Sequence, residues 1–239
     1  MNKNEIIQAV RKDLARYNKP EFKIDAQRFF KEELKRRFVL KTSIIRIISN
    51  THFKEVKELP KKEIFEICEE FLGSGRDGEK SLGFIWAGRC HYLYTKSDFE
   101  LFESWLKKHV DSWANCDALC CFALGILLFQ YPDLIRKTVK WRKSKNRWLR
   151  RASAVALIYS LGREKQLKTA FEAADMLLSD EDDMVQKGYG WMLKVASKHY
   201  PDHVFRYVLR NRETMPRTAL RYAIEKYPKD KRKEAMKKD

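Results

Sequence analysis

The chain has 239 residues, 50 of them Lys or Arg and 33 Asp or Glu, for a formal net charge of +17. At 44% hydrophobic it can build a core, which excludes a disordered chain, and nine Gly and six Pro argue against sandwiches, barrels and Gly-rich nucleotide folds. No uncharged apolar run approaches the ~20 residues of a bilayer span, and the start Met1-Asn2-Lys3-Asn4-Glu5 lacks the apolar core of a secretory signal. A cytoplasmic protein off the membrane is expected, with a polyanion as the first partner to consider.

Hydrophobic periodicity is helical almost throughout. Ile64, Phe65, Cys68, Phe71 and Leu72 follow one helix face behind Pro60. Ser97-Asp98-Phe99-Glu100 reads as a capping box ahead of Leu101, Phe102, Trp105 and Leu106. Ser179-Asp180-Glu181-Asp182 reads as a further start, with carboxylates on the positive end of the helix dipole. Pro201 and Pro216 mark two more starts, the second for a helix through Tyr227. The total is about twelve to fourteen helices. The five cysteines (Cys68, Cys90, Cys116, Cys120, Cys121) form no CxxC pair and are expected to pack in the core. No metal site and no cofactor is expected.

The second half repeats. Tyr131-Pro132-Asp133 recurs as Tyr200-Pro201-Asp202, and polar-to-small junctions fall at Asp117-Ala118, Arg151-Ala152 and Lys187-Gly188, steps of 34 and 36 residues, with a shorter recurrence near Arg217. A period in the thirties with two helices per unit predicts an all-α solenoid of degenerate HEAT-like repeats with a concave basic face. The layout is one domain over 1–239: divergent N-terminal helices over 1–96, motif-bearing repeats over 97–228, and a basic tail over 229–239. Residues 131–168 hold twelve Lys or Arg against Asp133 and Glu164, and residues 203–239 hold twelve against five. Residues 171–186 run the other way, with six carboxylates and no cation. One sign dominates the first block and Trp141 and Trp148 interleave it, which favours nucleic acid over a merely solvated face.

Three segments carry candidate chemistry. In Ser112-Trp113-Ala114-Asn115-Cys116-Asp117, Asp117 reads either as an N-cap before the apolar run Ala118–Phe129 or as a carboxylate beside an aromatic wall. In Asn146-Arg147-Trp148-Leu149-Arg150-Arg151-Ala152-Ser153, three arginines meet the positive end of a helix. That either exposes them to solvent or calls for an anion to offset the cost. In Val185-Gln186-Lys187-Gly188-Tyr189-Gly190-Trp191, each Gly costs roughly 1 kcal/mol relative to Ala in a helix, so a helix or a ligand backbone should approach closely.

Taken in this order, Ser-Trp-x-x-x-Asp, Trp-Leu-x-Arg-Ala and Gln-Lys-Gly-x-Gly-Trp resemble the bacterial DNA alkylation repair enzymes of the AlkD type, which are HEAT-like-repeat DNA glycosylases. The resemblance runs from about Val110 to Tyr227. It implies a catalytic cleft of Asp117, Trp113 and Trp191, with Arg151 holding the DNA backbone. Arg147, Arg150 and Lys187 are further candidate phosphate contacts. On the N-terminal side Phe29 stands where the family has a Tyr. The family's Gly-(Ile/Val)-x-Thr-Pro loop survives as Leu40-Lys41-Thr42-Ser43-Ile44-Ile45-Arg46, with Ser43 in place of Pro.

The implied activity is excision of cationic N3- or N7-alkylated purines from duplex DNA by a monomer, as in base excision repair in a bacterial nucleoid. Asp117 would stabilise oxocarbenium character on the sugar and orient water. The indoles would attract the cation and exclude solvent. Two other readings stand beside it: a DNA-structure-binding protein without turnover, and a protein-binding adaptor.

Overall fold

The computed structural model describes residues 1–19, 21 and 40–237; Phe29 lies outside these. Among the described residues there are fifteen α-helices and no β-strand, and the helices fall into two units, Met1–Tyr94 and Thr95–Asp239.

The first unit contains α1 (Lys3–Arg16), α2 (Thr42–Val56), α3 (Lys61–Gly73) and α4 (Asp77–Arg89). Asn2 opens α1 with a complete capping box: its side chain accepts from the Glu5 amide, and Glu5 accepts from the Asn2 amide. The core is Ile6, Val10, Ile48, Val56, Ile64, Ile67, Cys68, Phe71, Phe84 and Trp86. The Trp86 indole N–H, which would be costly to bury unpaired, donates to Ser49 Oγ at 3.0 Å. Thr42, Ser43 and Arg46 sit exposed in the first turns of α2.

The second unit is the solenoid. Its helices are α5 (Asp98–Lys108), α6 (Trp113–Leu119), α7 (Gly125–Gln130), α8 (Ile135–Thr138), α9 (Arg147–Val155), α10 (Ile158–Leu161), α11 (Leu167–Leu177), α12 (Asp183–Ala196), α13 (Pro201–Asn211), α14 (Arg217–Ala223) and α15 (Lys229–Met236). The row α6, α9, α12, α14 packs each helix on the next. These four helices begin at residues 113, 147, 183 and 217, so the period is 34, 36 and 34 residues and the last repeat is full length rather than short. Contacts between neighbouring repeats show the same period. Lys96 pairs with Asp133, Trp141 Nε1–H donates to Glu103, Arg151 pairs with Asp117, and Tyr207 O–H donates to Asp175, separations of 32 to 38 residues. Each repeat thus touches mainly its neighbours.

Three expectations of detail change. α5 begins at Asp98, but Ser97 makes no side-chain cap bond; Asp98 instead turns back to accept from the Thr95 amide at 2.6 Å, closing the turn that leads into the helix. Asp117 is not an N-cap either. Ser112 caps α6 through the Asn115 amide, which places Asp117 inside the helix. The segment expected as a basic tail folds over Lys229–Met236 into α15, which buries Ala235, lays Lys231 over the Phe205 ring and accepts from Arg217 at the Met236 carbonyl.

Candidate functional site

The site is built on the row of repeated helices. α6 and α7 join through a π-helical turn, Cys120–Leu124, into one rod from Trp113 to Gln130. A Cβ on Gly125 would lie 2.5 Å from the Cys120 carbonyl, 2.9 Å from that of Ala156 at the end of α9 and 3.1 Å from Tyr159 Cβ on α10, so only Gly lets the widened turn and these two helices approach this closely. By length and composition the rod could cross a membrane. Half of it is buried against the protein, however, and it carries a paired carboxylate, the arrangement of a core helix. Its solvent-reaching residues are Trp113, Ala114, Asp117, Ala118, Cys121, Phe122, Ile126, Phe129 and Gln130; all others are buried. Asp117 therefore lies on the open face, with Trp113 one turn before it and Cys121 and Phe122 one turn after.

Equivalent positions on the neighbouring helices supply the other candidates. Asp117, Arg151, Lys187 and Arg221 are each the fifth residue of their helix. Arg151 Nε donates to Asp117 Oδ1 and Nη2 to Oδ2, both at 2.9 Å, a bidentate fork. Its Nη1 donates to the Met184 carbonyl on α12. Gly188 makes room: a Cβ there would stand 3.0 Å from Arg151 Cγ and 3.3 Å from Nη1. The other glycine serves the next interface, since a Cβ on Gly190 would stand 2.7 Å from both the Ala219 carbonyl and Tyr222 Cβ. Trp191, half-buried, lies one turn beyond Lys187 on the same face of α12.

Charge on this face is internally matched. Arg151 is 5% exposed and Asp117 18%. Burial pushes the Asp117 carboxyl above the usual range, and the Arg151 bonds and charge return only part of that shift. Burial, with the nearby Asp117 charge, pushes the Cys121 thiol up to about 12, so it stays protonated at neutral pH. The arginines at the start of α9 meet the acidic segment of the next repeat: Arg147 Nε pairs with Asp182 at 2.7 Å and Arg150 Nε with Asp180 at 2.6 Å. The anion that offsets their position is thus a carboxylate of the protein. Lys187 pairs with Asp183 at 3.2 Å. Arg151, which the resemblance casts as a holder of the DNA backbone, is buried between three helices.

The structure therefore brings Asp117, Arg151, Lys187 and Gly188 together by contact or register, with Trp113 and Trp191 on the same faces as Asp117 and Lys187. Sequence reasoning missed the Asp117–Arg151 pair, although opposite charges 34 residues apart in a 34-residue repeat were a usable signal. It also missed the Met184 carbonyl, which no side-chain pattern announces. Trp141 is buried against Phe99 in a 5.5 Å stack rather than lining a surface. Among the described residues no three His, Cys, Asp or Glu side chains converge as metal ligands.

An all-α solenoid presenting a paired carboxylate and half-buried indoles on one face of its repeated helices defines the class of protein. The profile of the DNA alkylation repair enzymes matches residues 10–227, and the chain belongs to that family. A solved structure described as a predicted DNA alkylation repair enzyme from Enterococcus faecalis superposes with a TM-score of 0.70 at 17% identity. The match covers 79% of this chain and 87% of that one, and it shows the fold. No curated protein matches the chain. Membership assigns the protein to the repair of alkylated DNA, with DNA as what it acts on.

Proposed function

We propose that the protein is a monofunctional DNA glycosylase that excises N3- and N7-alkylated purines from duplex DNA. The observation that carries the reading is Asp117, a carboxylate on the open face of a rigid rod with Trp113 one turn away. An alkylated purine is cationic, so its C1′–N bond is already weak. As that bond breaks, the base leaves with the electron pair and becomes neutral. Positive charge grows on the sugar, and water adds at C1′ and loses a proton. Asp117 would face the growing cation and accept a hydrogen bond from the water. Trp113 and Trp191 would shield the charge from solvent and attract it through their ring faces. Exposed Lys143 and Lys145, with Arg147, Arg150 and Lys187 released from or sharing their carboxylates, would contact phosphate. Arg151 would act through Asp117 rather than at the backbone.

The test is release of N7-methylguanine or N3-methyladenine from alkylated duplex DNA. Asp117→Asn is expected to slow release by about 100-fold or more; equal rates would remove Asp117 from catalysis. One observation favours a second reading, a DNA-structure-binding protein without turnover: the bidentate pair already neutralises Asp117. In that case the wild-type protein binds lesion-bearing duplex and releases neither base.

A further inference from the structure

We propose that Phe122 is a stacking side chain that contacts a nucleobase next to the lesion; this rests on the open face of the rod being the DNA-facing one. Phe122 is 46% exposed, one of the few large apolar side chains so displayed among the described residues. It belongs to the exposed stripe of the rod, in the turn that follows Asp117. Its neighbours explain why the exposure is built in. Cys120, Ala123, Leu124, Leu127 and Leu128 are each 0% exposed, so the buried face of the rod is already filled.

The π turn is what presents it. A π turn carries an extra residue and so shifts the direction of the side chains within it, Phe122 among them, and such turns concentrate at functional sites. The turn is fixed by Gly125, whose hydrogen faces the Cys120 and Ala156 carbonyls with no room for a methyl group. A fixed backbone beneath an exposed ring costs little entropy on binding, as a stacking platform requires. The occupant is argued from charge. The same face of the row carries Arg147, Lys187, Lys194, Arg217 and Arg221, all reaching solvent; Arg147, Lys187 and Lys194 lean on Asp182, Asp183 and Glu225, and the cations still outnumber these carboxylates, which suits a polyanion whose bases offer apolar faces better than it suits an acidic or apolar protein partner.

The experiment measures equilibrium affinity for two duplexes, one with a tetrahydrofuran abasic analogue and one undamaged, across a salt series. Phe122→Ala is expected to weaken binding to the abasic duplex by about tenfold, the loss typical of one stacked base. Phe122→Tyr should bind as wild type. Because Phe122 touches no phosphate, the salt slope should be the same in all three proteins. As a surface change, Phe122→Ala should leave the melting temperature nearly unaltered. If Phe122→Ala binds the abasic duplex as tightly as wild type, the stacking role is wrong while the DNA-facing assignment stands. If wild type binds neither duplex with a falling salt dependence, the DNA-facing assignment fails and takes this proposal with it.

Discussion

At the scale of the residue, the Asp117–Arg151 pair governs both stability and chemistry. Replacing one partner of a buried pair strands the other charge, so Arg151→Met should destabilise the fold by about 3–5 kcal/mol in chemical denaturation. A change within a few tenths would show that solvent already screens the pair. The carboxyl of Asp117 titrates above its unfolded range, chiefly through burial. Its contribution to stability is therefore fully present below the unfolded carboxylate range and is lost as pH rises through the folded value. Activity has the opposite sign, because catalysis needs the ionised form. Removing Arg151 leaves burial uncompensated, so the acid limb of kcat/KM should move to higher pH in Arg151→Met. A limb fixed at its wild-type position would separate Arg151 from the carboxylate. The aromatic–carboxylate–arginine set was legible in the chain because each residue sits in a short motif. Its bonding was not, since an arginine at a helix start is equally suited to a phosphate and to a carboxylate one repeat away.

At the scale of the element, the glycines separate two kinds of helix contact. Gly190→Ala would force a methyl group to 2.7 Å from the Ala219 carbonyl and from Tyr222 Cβ, across the α12–α14 contact. The expected cost is about 1–3 kcal/mol of overpacking. Gly73, at the end of α3, has nothing within 4 Å of the same construction and no positive φ. Gly73→Ala is thus expected to stabilise by about 0.5–1 kcal/mol through helix propensity. Opposite signs in thermal melts would support the contrast, and equal signs would refute it. Helices were readable because apolar spacing and proline starts are local. The starts of α5 and α6 were not, because a Ser or Asp near a helix start caps it only if the preceding turn aims its oxygen at the first amides: Ser112 does so, while Ser97 does not and Asp98 bonds back to Thr95. The π turn had no local marker except Gly125.

At the scale of the molecule, the excess charge is less available than the count suggests. Arg147, Arg150, Arg151, Lys137 and Lys140 each meet a carboxylate of a neighbouring repeat. DNA affinity should fall with salt, but with a log–log slope well short of the about −15 that seventeen fully engaged charges would give. A slope near zero would leave no phosphate contacts to explain. The end of the solenoid offers a further check. Removing residues 229–239 uncovers the face of α13 and strips Arg217 of its Met236 partner, so the truncated protein should melt at a lower temperature. An unchanged melting temperature would return α15 to the status of a tail. The period of the repeats was visible in the sequence; that the basic and acidic blocks answer each other across it became visible only when the helices were stacked.

The ladder of Arg151 on Asp117 and Arg147 on Asp182 also means that the repeats are not interchangeable. Each helix carries a key cut for one neighbour. Copying the unit that begins at Arg147 and inserting it after itself would set a second guanidinium against Arg151 where Asp117 is needed, burying like charges. Growth of the array by simple duplication is thereby closed off, and lengthening it would require a compensating carboxylate in the same event.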